Sequence, residues 1–347
     1  MWTVSSRRTL GRGVLWLVVL CALASCAPAS TIRGDVTPGS SEWSSSASIV
    51  AGHPLRIHLR SDGSSESLAG LASSAVREVQ RRIAPTGEGS LLAGVNREAG
   101  RSPVKVPEDL RVLVRRALAF YLLTDGAVDI TDGPLRGLWD SGESPSSESV
   151  RAAMARRGSD VISVDELEGS LSVQRAGVTL DLDTMGRAYA VAVAGQRLET
   201  AGADRYRIDY GELSVLGEDP GKMWKLPLPD GPGTPPRARR WLRVAGGAVS
   251  VVERSDGRVG PLLDVIDPRT GSPTRSLSYA LVVSSDPVQS AAIARGLAIL
   301  GRTRGLEIIE TLEGVEGLVI DLAGYIHASS GLRTALLQEP LGDGPAP

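Results

Sequence analysis

Apolar and polar residues are distributed along the chain in patterns that predict its secondary structure. Residues 55–59 alternate as in a half-buried strand, with His58 on the face expected to meet solvent. Apolar residues recur at helical spacing over 68–83, and a second helix begins at Pro107 with two acids in its first turn. Further helices are predicted at 147–157, 185–198, 287–300 and 304–311. Further strands are predicted at 160–164, 171–174, 178–182, 205–210, 213–216, 241–245, 248–252, 262–266 and 279–284, with a hairpin formed by 318–322 and 325–328.

The order of these elements indicates the fold class. Paired helices and antiparallel strand runs favour an α+β fold, with layered antiparallel sheets and packed helices, over a doubly wound parallel sheet. The chain is long enough to bury a sizeable core. Its formal net charge is −2, and the sequence contains no basic patch. Both observations argue against nucleic acid as a partner.

The first residues have the features of an export leader. Arg7, Arg8 and Arg12 precede a short apolar run, 14–22, which falls below the roughly 20 apolar residues that a membrane-spanning helix needs. The run ends in LASC, which resembles a bacterial lipobox in which Cys26 carries the lipid. An ordinary signal peptide with an incidental cysteine is the alternative, and the paired arginines also faintly resemble a twin-arginine signal.

These features predict four regions along the chain: a leader at 1–25, a Ser- and Pro-rich tether at 26–47, a globular domain at 48–335 and a tail at 336–347. Cleavage would leave Cys26 as the remaining cysteine, so no internal disulfide is expected and the domain must depend on its own core. The predicted location is outside the cytoplasm, on the cell membrane or the periplasmic face, with the lipid as membrane anchor.

A glycine-rich loop carries the clearest candidate chemistry. Residues 124–135 read TDGAVDITDGPL, and Leu-Trp follows at 138–139. Gly126 would let the backbone approach a ligand closely, while Asp129 and Thr131 can hydrogen-bond a ribose or an adenine. A tight turn that caps the preceding helix is the alternative interpretation of the same residues.

Three further segments carry candidate residues. Residues 264–273 read DVIDPRTGSP, in which Asp267 and Thr270 also form a standard strand-to-turn sequence. Residues 180–190 read LDLDTMGRAYA and contain Arg187, and residues 208–217 read IDYGELSVLG and contain Glu212.

Together, and in this order, the four segments resemble the motifs of the FAD:protein FMN transferase (ApbE) family over roughly 51–330. The first loop is similar to the family's GAFDxTxGPL, with Val128 in place of Phe, and 264–273 is similar to HIIDPxTGxP, with Asp264 in place of His. The resemblance implies a T-fold-like architecture, FAD as ligand, and transfer of FMN to a Thr or Ser of an exported flavoprotein. It implies Asp264 as the catalytic residue and a flavin site made of Gly126, Asp129, Thr131, Arg187, Glu212, Asp267, Thr270 and Arg295.

The resemblance also implies a Mg²⁺ site, but this chain has other residues at the family's metal-binding positions. The family's metal-binding Asp and Thr, four residues apart on one helix face, fall at Ala291 and Arg295. Neither side chain ligates Mg²⁺, so no metal ligand is predicted at these positions. We expect either that Arg295, with Arg187 nearby, replaces part of the cation's charge at a pyrophosphate, or that both arginines face solvent or pair with Asp183.

Three functions remain open from the sequence. The first is an active transferase in which Asp264 acts as the base. The second is a lipoprotein that binds a flavin or another nucleotide without catalysing transfer, and the third is an interaction protein that binds no ligand. The lost metal pair and the replaced histidine favour the second and third, whereas the family resemblance favours the first.

Overall fold

The protein is described from a computed structural model. The described residues are 18–20, 43–60, 64–139, 144–203, 205–218, 223–228, 240–253, 265–274, 276–333 and 336–338. Their helices are α1 (Ser65–Ile83), α2 (Leu91–Arg97), α3 (Glu108–Leu123), α4 (Gly133–Trp139), α5 (Ser147–Met154), α6 (Asp183–Thr200), α7 (Pro287–Glu310) and α8 (Ser330–Arg333). Their strands are β1 (Val18–Leu20), β2 (Trp43–Val50), β3 (His53–Arg60), β4 (Val104–Lys105), β5 (Ile162–Asp165), β6 (Ser170–Val173), β7 (Tyr206–Tyr210), β8 (Leu213–Leu216), β9 (Trp224–Leu228), β10 (Arg240–Val244), β11 (Gly247–Glu253), β12 (Ile266–Asp267), β13 (Ser272–Pro273), β14 (Leu277–Ser284), β15 (Val315–Asp321), β16 (Ile326–Ala328) and β17 (Leu336–Gln338).

An eight-stranded antiparallel sheet, in the order β16-β15-β14-β11-β8-β7-β3-β2, forms the centre of the fold. Alternate residues of its strands point to opposite faces, and both faces are buried. One face packs against α1, α6 and α7, and the other packs against the hairpin β9–β10, which contributes the buried Trp224. Smaller sheets are β17-β1-β10-β9, β4-β6-β5 and β12-β13. This architecture confirms the predicted α+β layers of antiparallel sheet and packed helices.

Helix α7 crosses the helical layer and contains a break that the sequence predicts. The separate helices expected at 287–300 and 304–311 are joined at Gly301, where the backbone leaves the helical conformation at φ 75° and ψ −177°. Asp286 caps the beginning of α7, because its carboxylate accepts hydrogen bonds from the backbone N–H groups of Val288 (2.9 Å) and Gln289 (3.3 Å). Within the described residues, no helix combines the length and apolar character needed to cross a bilayer.

Two predictions made from periodicity are wrong. Residues 178–182 form no strand, because the backbone N–H and C=O of Leu180 bond to the side chain of Asn96 (2.7 and 2.9 Å) instead of to a neighbouring strand. His58 is 9 % exposed, not solvent-exposed. Its ring lies between Ser45 on β2 (2.8 Å) and Asp209 on β7 (3.6 Å). Strand β3 has β2 on one side and β7 on the other, so residues from both neighbouring strands surround the ring.

Parts of the predicted leader, tether and tail lie in strands. Residues 43–47, which belong to the predicted tether, lie in β2 and pair with β3 along its whole length. Strands β1 and β17 fall within the predicted leader and tail and pair with each other in parallel. Cys26, the predicted site of lipid attachment, lies outside the described residues.

Gly301→Ala should destabilise the protein by about 1–3 kcal/mol, because the backbone conformation at the break of α7 is open almost exclusively to glycine. Gly70→Ala is the matched control, since Gly70 is an exposed residue inside α1 with open space around its Cα. The control should leave stability unchanged or raise it by up to about 1 kcal/mol. Urea unfolding midpoints measure both effects, and equal shifts in the two variants would contradict the assigned break.

Candidate functional site

The loop 124–135 joins α3 to α4 and is fixed against α7. Thr124 Oγ1 donates to a carbonyl of α3 (2.6 Å) and accepts from the backbone N–H of Val128 (3.0 Å). Gly126 has a φ of 78°, a left-handed conformation that favours glycine. A Cβ at Gly296 on α7 would lie 2.9 Å from Thr124 Cγ2, so the absence of a side chain there permits the close approach of the helix.

Asp129 and Thr131 anchor this loop to the segment that follows α5. The buried Asp129 carboxylate accepts hydrogen bonds from Thr131 Oγ1 (2.6 Å), the Thr131 backbone N–H (2.9 Å), Arg157 Nη1 (2.7 Å) and Ser159 Oγ (2.8 Å). Thr131 Oγ1 in turn accepts from the backbone N–H of Gly158 (2.8 Å). Oδ1 accepts from three of these donors and Oδ2 from one. The bonds of both side chains therefore connect the loop to the segment 157–159.

The segment 265–273 forms a strand and turn beside this loop. Asp267 accepts from the backbone N–H and Nε of Arg269 (both 2.9 Å), and its backbone carbonyl accepts from the Thr270 N–H (3.2 Å). Burial alone would raise the pKa of Asp267, but Arg269, with a smaller contribution from Arg157, holds it below its usual range. Trp139 Nε1 donates to the carbonyl of the glycine after Thr270 (3.1 Å), which ties the turn to α4. The predicted catalytic residue Asp264 lies outside the described residues.

Arginines from two helices meet on one aspartate of the loop. Arg295 of α7 donates from Nη2 to Asp132 Oδ2 (2.5 Å), and Arg136 of α4 donates from Nε to Asp132 Oδ1 (3.2 Å). The Asp132 side chain is 4 % exposed, whereas those of Arg295 and Arg136 are 16 % and 23 % exposed. Ala291, one turn before Arg295, is buried and offers no ligand oxygen. Arg295 therefore pairs with Asp132 and not with Asp183. Asp132 is not among the site residues predicted from the sequence.

Arg136 also pairs with acidic residues at the beginning of α6 and just before it. Arg136 contacts the Asp181 carboxylate through Nη2 and lies 3.6 Å from Asp183 Oδ2 through Nη1. Asp183 Oδ2 also accepts from Arg187 Nη2 (3.1 Å), and Arg187 Nη1 donates to Glu212 Oε2 (3.1 Å). The pairing of Arg187 with Asp183 is one of the two arrangements that the sequence leaves open. We call the connected set the arginine–carboxylate cluster; it consists of Arg136, Arg187, Arg295, Asp132, Asp181, Asp183 and Glu212.

His53 of β3 lies at one end of this cluster. Its Nε2 is 3.5 Å from Asp183 Oδ1, and its Nδ1 is 3.4 Å from Arg187 Nη1. Burial alone would raise the pKa of Asp183, but His53, Arg187 and Arg136 outweigh burial and hold it well below the usual carboxylate range. For Arg187, burial would lower the pKa, and Asp183 with Glu212 reverses this and raises it.

Glycine makes room for the buried guanidinium of Arg187. Gly211, in the turn between β7 and β8, has a φ of 62°, and a Cβ there would clash with Arg187 Nη1. The sequence segments at 180–190 and 208–217 are therefore in contact. Arg187 Nε is buried and has no hydrogen-bond partner among the described residues. Across the residues that the structure describes, no group of three or more His, Cys, Asp or Glu side chains is arranged to hold a metal ion.

Sequence reasoning missed several members of this site. The Asp132–Arg136 pair could have been found, because residues four apart on a helix are neighbours. His53, Asp181 and Arg157 carry no such local signal, since their partners lie far away along the chain.

Known proteins resemble this chain in both sequence and fold. The model of the ApbE family matches residues 51–319. FAD:protein FMN transferases from Klebsiella pneumoniae and Vibrio cholerae are both 25 % identical, over 90 % and 68 % of this chain and 93 % and 74 % of theirs. The flavin transferase ApbE from Vibrio cholerae has a fold with a TM-score of 0.74 at 23 % identity, covering 84 % of this chain and 99 % of its own. The ApbE protein from Thermotoga maritima gives a TM-score of 0.73 at 21 % identity, covering 84 % and 98 %.

Asp183→Asn should lower stability at neutral pH by about 1–3 kcal/mol, because it removes the carboxylate that Arg136 and Arg187 share. The folded-state pKa of Asp183 is depressed, so its stabilisation is present above the ordinary carboxylate pKa of about 3.9 and is lost as the pH falls below that value. The difference between wild type and variant should therefore shrink in acid. Urea unfolding across a pH series measures it.

Asp160→Asn is the control for this series, since Asp160 is an exposed acid 3.8 Å from Arg175 and outside the cluster. Its unfolding midpoint should follow that of the wild type at every pH. A loss in Asp183→Asn that stays constant down to acid pH would argue against an ionised, paired Asp183.

Proposed function

The chain belongs to the ApbE family, and from this premise we propose that it is a FAD:protein FMN transferase acting on an exported flavoprotein. The proposal rests mainly on the family match over 51–319, which spans all four motif segments. It is supported by the packing of three of these segments, 124–135, 180–190 and 208–217, around one arginine–carboxylate cluster. The turn 265–273 is attached to the same region through Trp139.

The proposed reaction moves FMN from FAD to a serine or threonine hydroxyl. The hydroxyl oxygen attacks the FMN phosphorus, the bond from that phosphorus to the bridging pyrophosphate oxygen breaks, and AMP leaves with the bridging oxygen. The hydroxyl proton passes to a base, for which Asp264 is the candidate. The leaving AMP gains negative charge, so cationic groups that face it would stabilise the transition state.

The side chains at the expected metal position do not fit a magnesium ion. Mg²⁺ requires several oxygen ligands at about 2.0–2.1 Å. Ala291 has no oxygen in its side chain, and Arg295 is a cation 2.5 Å from Asp132. Asp132 itself is shared by two arginines. Guanidinium groups are the cations that this region presents to an anionic ligand.

A specific observation supports a second function, namely a flavin- or nucleotide-binding protein that does not transfer FMN. The three arginines of the cluster already face four carboxylates of the same chain, Asp132, Asp181, Asp183 and Glu212. A site whose cations are all paired internally stabilises additional negative charge less than one with free cations.

Outside the cytoplasm, the lipid on Cys26 would hold the domain at a membrane. This part of the proposal rests on the leader sequence LASC and on the tether that follows it. Cleavage before Cys26 would remove β1, so β10 would keep β9 as its partner and lose a short neighbour.

Incubation of the protein with FAD, Mg²⁺ and an acceptor flavoprotein domain should produce covalent flavin fluorescence on the acceptor in a denaturing gel. Asp264→Asn should slow transfer by about a hundredfold or more, as expected when a general base is removed. Asp160→Asn is the control and should transfer at the wild-type rate. No transfer with yellow flavin bound to the purified protein would favour the second function, and a colourless, inactive protein would favour an interaction protein.

Cys26→Ala should move the protein from the membrane fraction to the soluble fraction and abolish incorporation of labelled palmitate, because Cys26 supplies the thiol that carries the lipid. Cys21→Ala is the matched control, since Cys21 precedes the cleavage site. Retention of Cys26→Ala in the membrane fraction would contradict the anchor.

A further inference from the structure

Arg136 and Arg295 converge on the carboxylate of Asp132. We propose that the two guanidiniums form a binding site for a phosphate or pyrophosphate group of a nucleotide, that this site needs no divalent cation, and that Asp132 is its built-in competitor. The inference rests on the proposed function, because it identifies how the anionic part of the flavin dinucleotide would be held.

The geometry around Asp132 is that of an anion between two cations. Each carboxylate oxygen takes a different guanidinium: Arg295 donates to Oδ2 (2.5 Å) and Arg136 donates to Oδ1 (3.2 Å). Guanidinium groups bind carboxylates and phosphates through the same planar arrangement of N–H donors. A phosphate oxygen could therefore take the place of a carboxylate oxygen without any change in the type of contact.

The exposed fractions show which partner an incoming anion would meet. The Asp132 side chain is 4 % exposed, whereas those of Arg295 and Arg136 are 16 % and 23 % exposed. Both arginine side chains are therefore partly exposed, whereas the carboxylate that pairs with them is almost fully buried.

The charges around the two arginines are unequal. Arg136 has Asp181 and Asp183 as further acidic neighbours. Among the described residues, Asp132 is the only acid within ion-pair distance of Arg295. Neutralising Asp132 would consequently free the charge of Arg295 and remove a like charge that repels an entering phosphate.

A spare donor lies in the same network. Arg187, which shares Asp183 with Arg136, is 9 % exposed and keeps a buried Nε without a partner in the described part of the chain. A buried donor of this kind costs free energy unless something accepts from it. An acceptor oxygen that reached this Nε would satisfy a donor for which the described residues provide no acceptor.

The test is calorimetric titration of inorganic pyrophosphate and of FAD into the full-length protein, in EDTA and in Mg²⁺ at constant ionic strength. Asp132→Asn, which keeps the shape of the side chain, should bind both probes about tenfold more tightly than wild type, with the same affinity in EDTA and in Mg²⁺. Adding Arg295→Gln to Asp132→Asn should remove the gain. Affinity that is unchanged or weaker in Asp132→Asn, or that requires Mg²⁺, would overturn the proposal.

Asp109→Asn is the matched control, because Asp109 also pairs with an arginine, Arg82 at 2.8 Å, and lies outside the cluster. It changes the net charge equally and should leave both affinities at the wild-type value. An equal gain in Asp109→Asn would mean that total charge, not the paired guanidiniums, controls binding, and would also overturn the proposal.

A second variant decides the question if Asp132→Asn does not fold by circular dichroism. Arg295→Lys keeps the charge and loses the planar pair of donors, so its affinity for pyrophosphate should fall several-fold; an unchanged affinity rejects the site. The FMN-transfer assay separates this inference from the proposed function. Transfer that depends on Mg²⁺ refutes the inference alone, whereas absent transfer together with a gain in Asp132→Asn refutes the transferase alone.

Discussion

The fold depends on burying both faces of the eight-stranded sheet. The helices α1, α6 and α7 cover one face, and the β9–β10 hairpin covers the other, so two hydrophobic cores share a single sheet. Burial of apolar surface is the dominant favourable term in folding. This packing also positions the site: α7 carries Arg295 to the loop after α3, and α6 carries Arg187 to the turn between β7 and β8.

Ion pairs connect segments that hydrophobic packing only places next to each other. Breaking one partner of a buried ion pair costs more than the pair contributes, because the remaining charge loses its compensation. The arginine–carboxylate cluster couples α4, α6 and α7 in this way. Asp132 joins Arg295 to Arg136, and Asp183 joins Arg136 to Arg187. The contacts among these side chains hold the site in shape.

The sequence predicts the elements better than their partners. The layered fold, the break near Gly301 and the hairpin 318–328 follow from local patterns, because periodicity and glycine act over a few residues. The pairing of Asp132 with Arg295 spans 163 positions, and no local pattern encodes it. The predictions for His58 and for 178–182 are wrong for a related reason, since the residues that bury the ring or bond the backbone come from other segments.

The close approach of Arg187 to Gly211 makes the two positions interdependent. A Cβ at 211 would clash with Arg187 Nη1, so a larger residue fits there only if the guanidinium moves. That movement would disturb the bond from Arg187 Nη1 to Glu212, so a change at 211 would act on the cluster through Arg187. The effects of substitutions at 187 and 211 on stability are therefore expected to be non-additive.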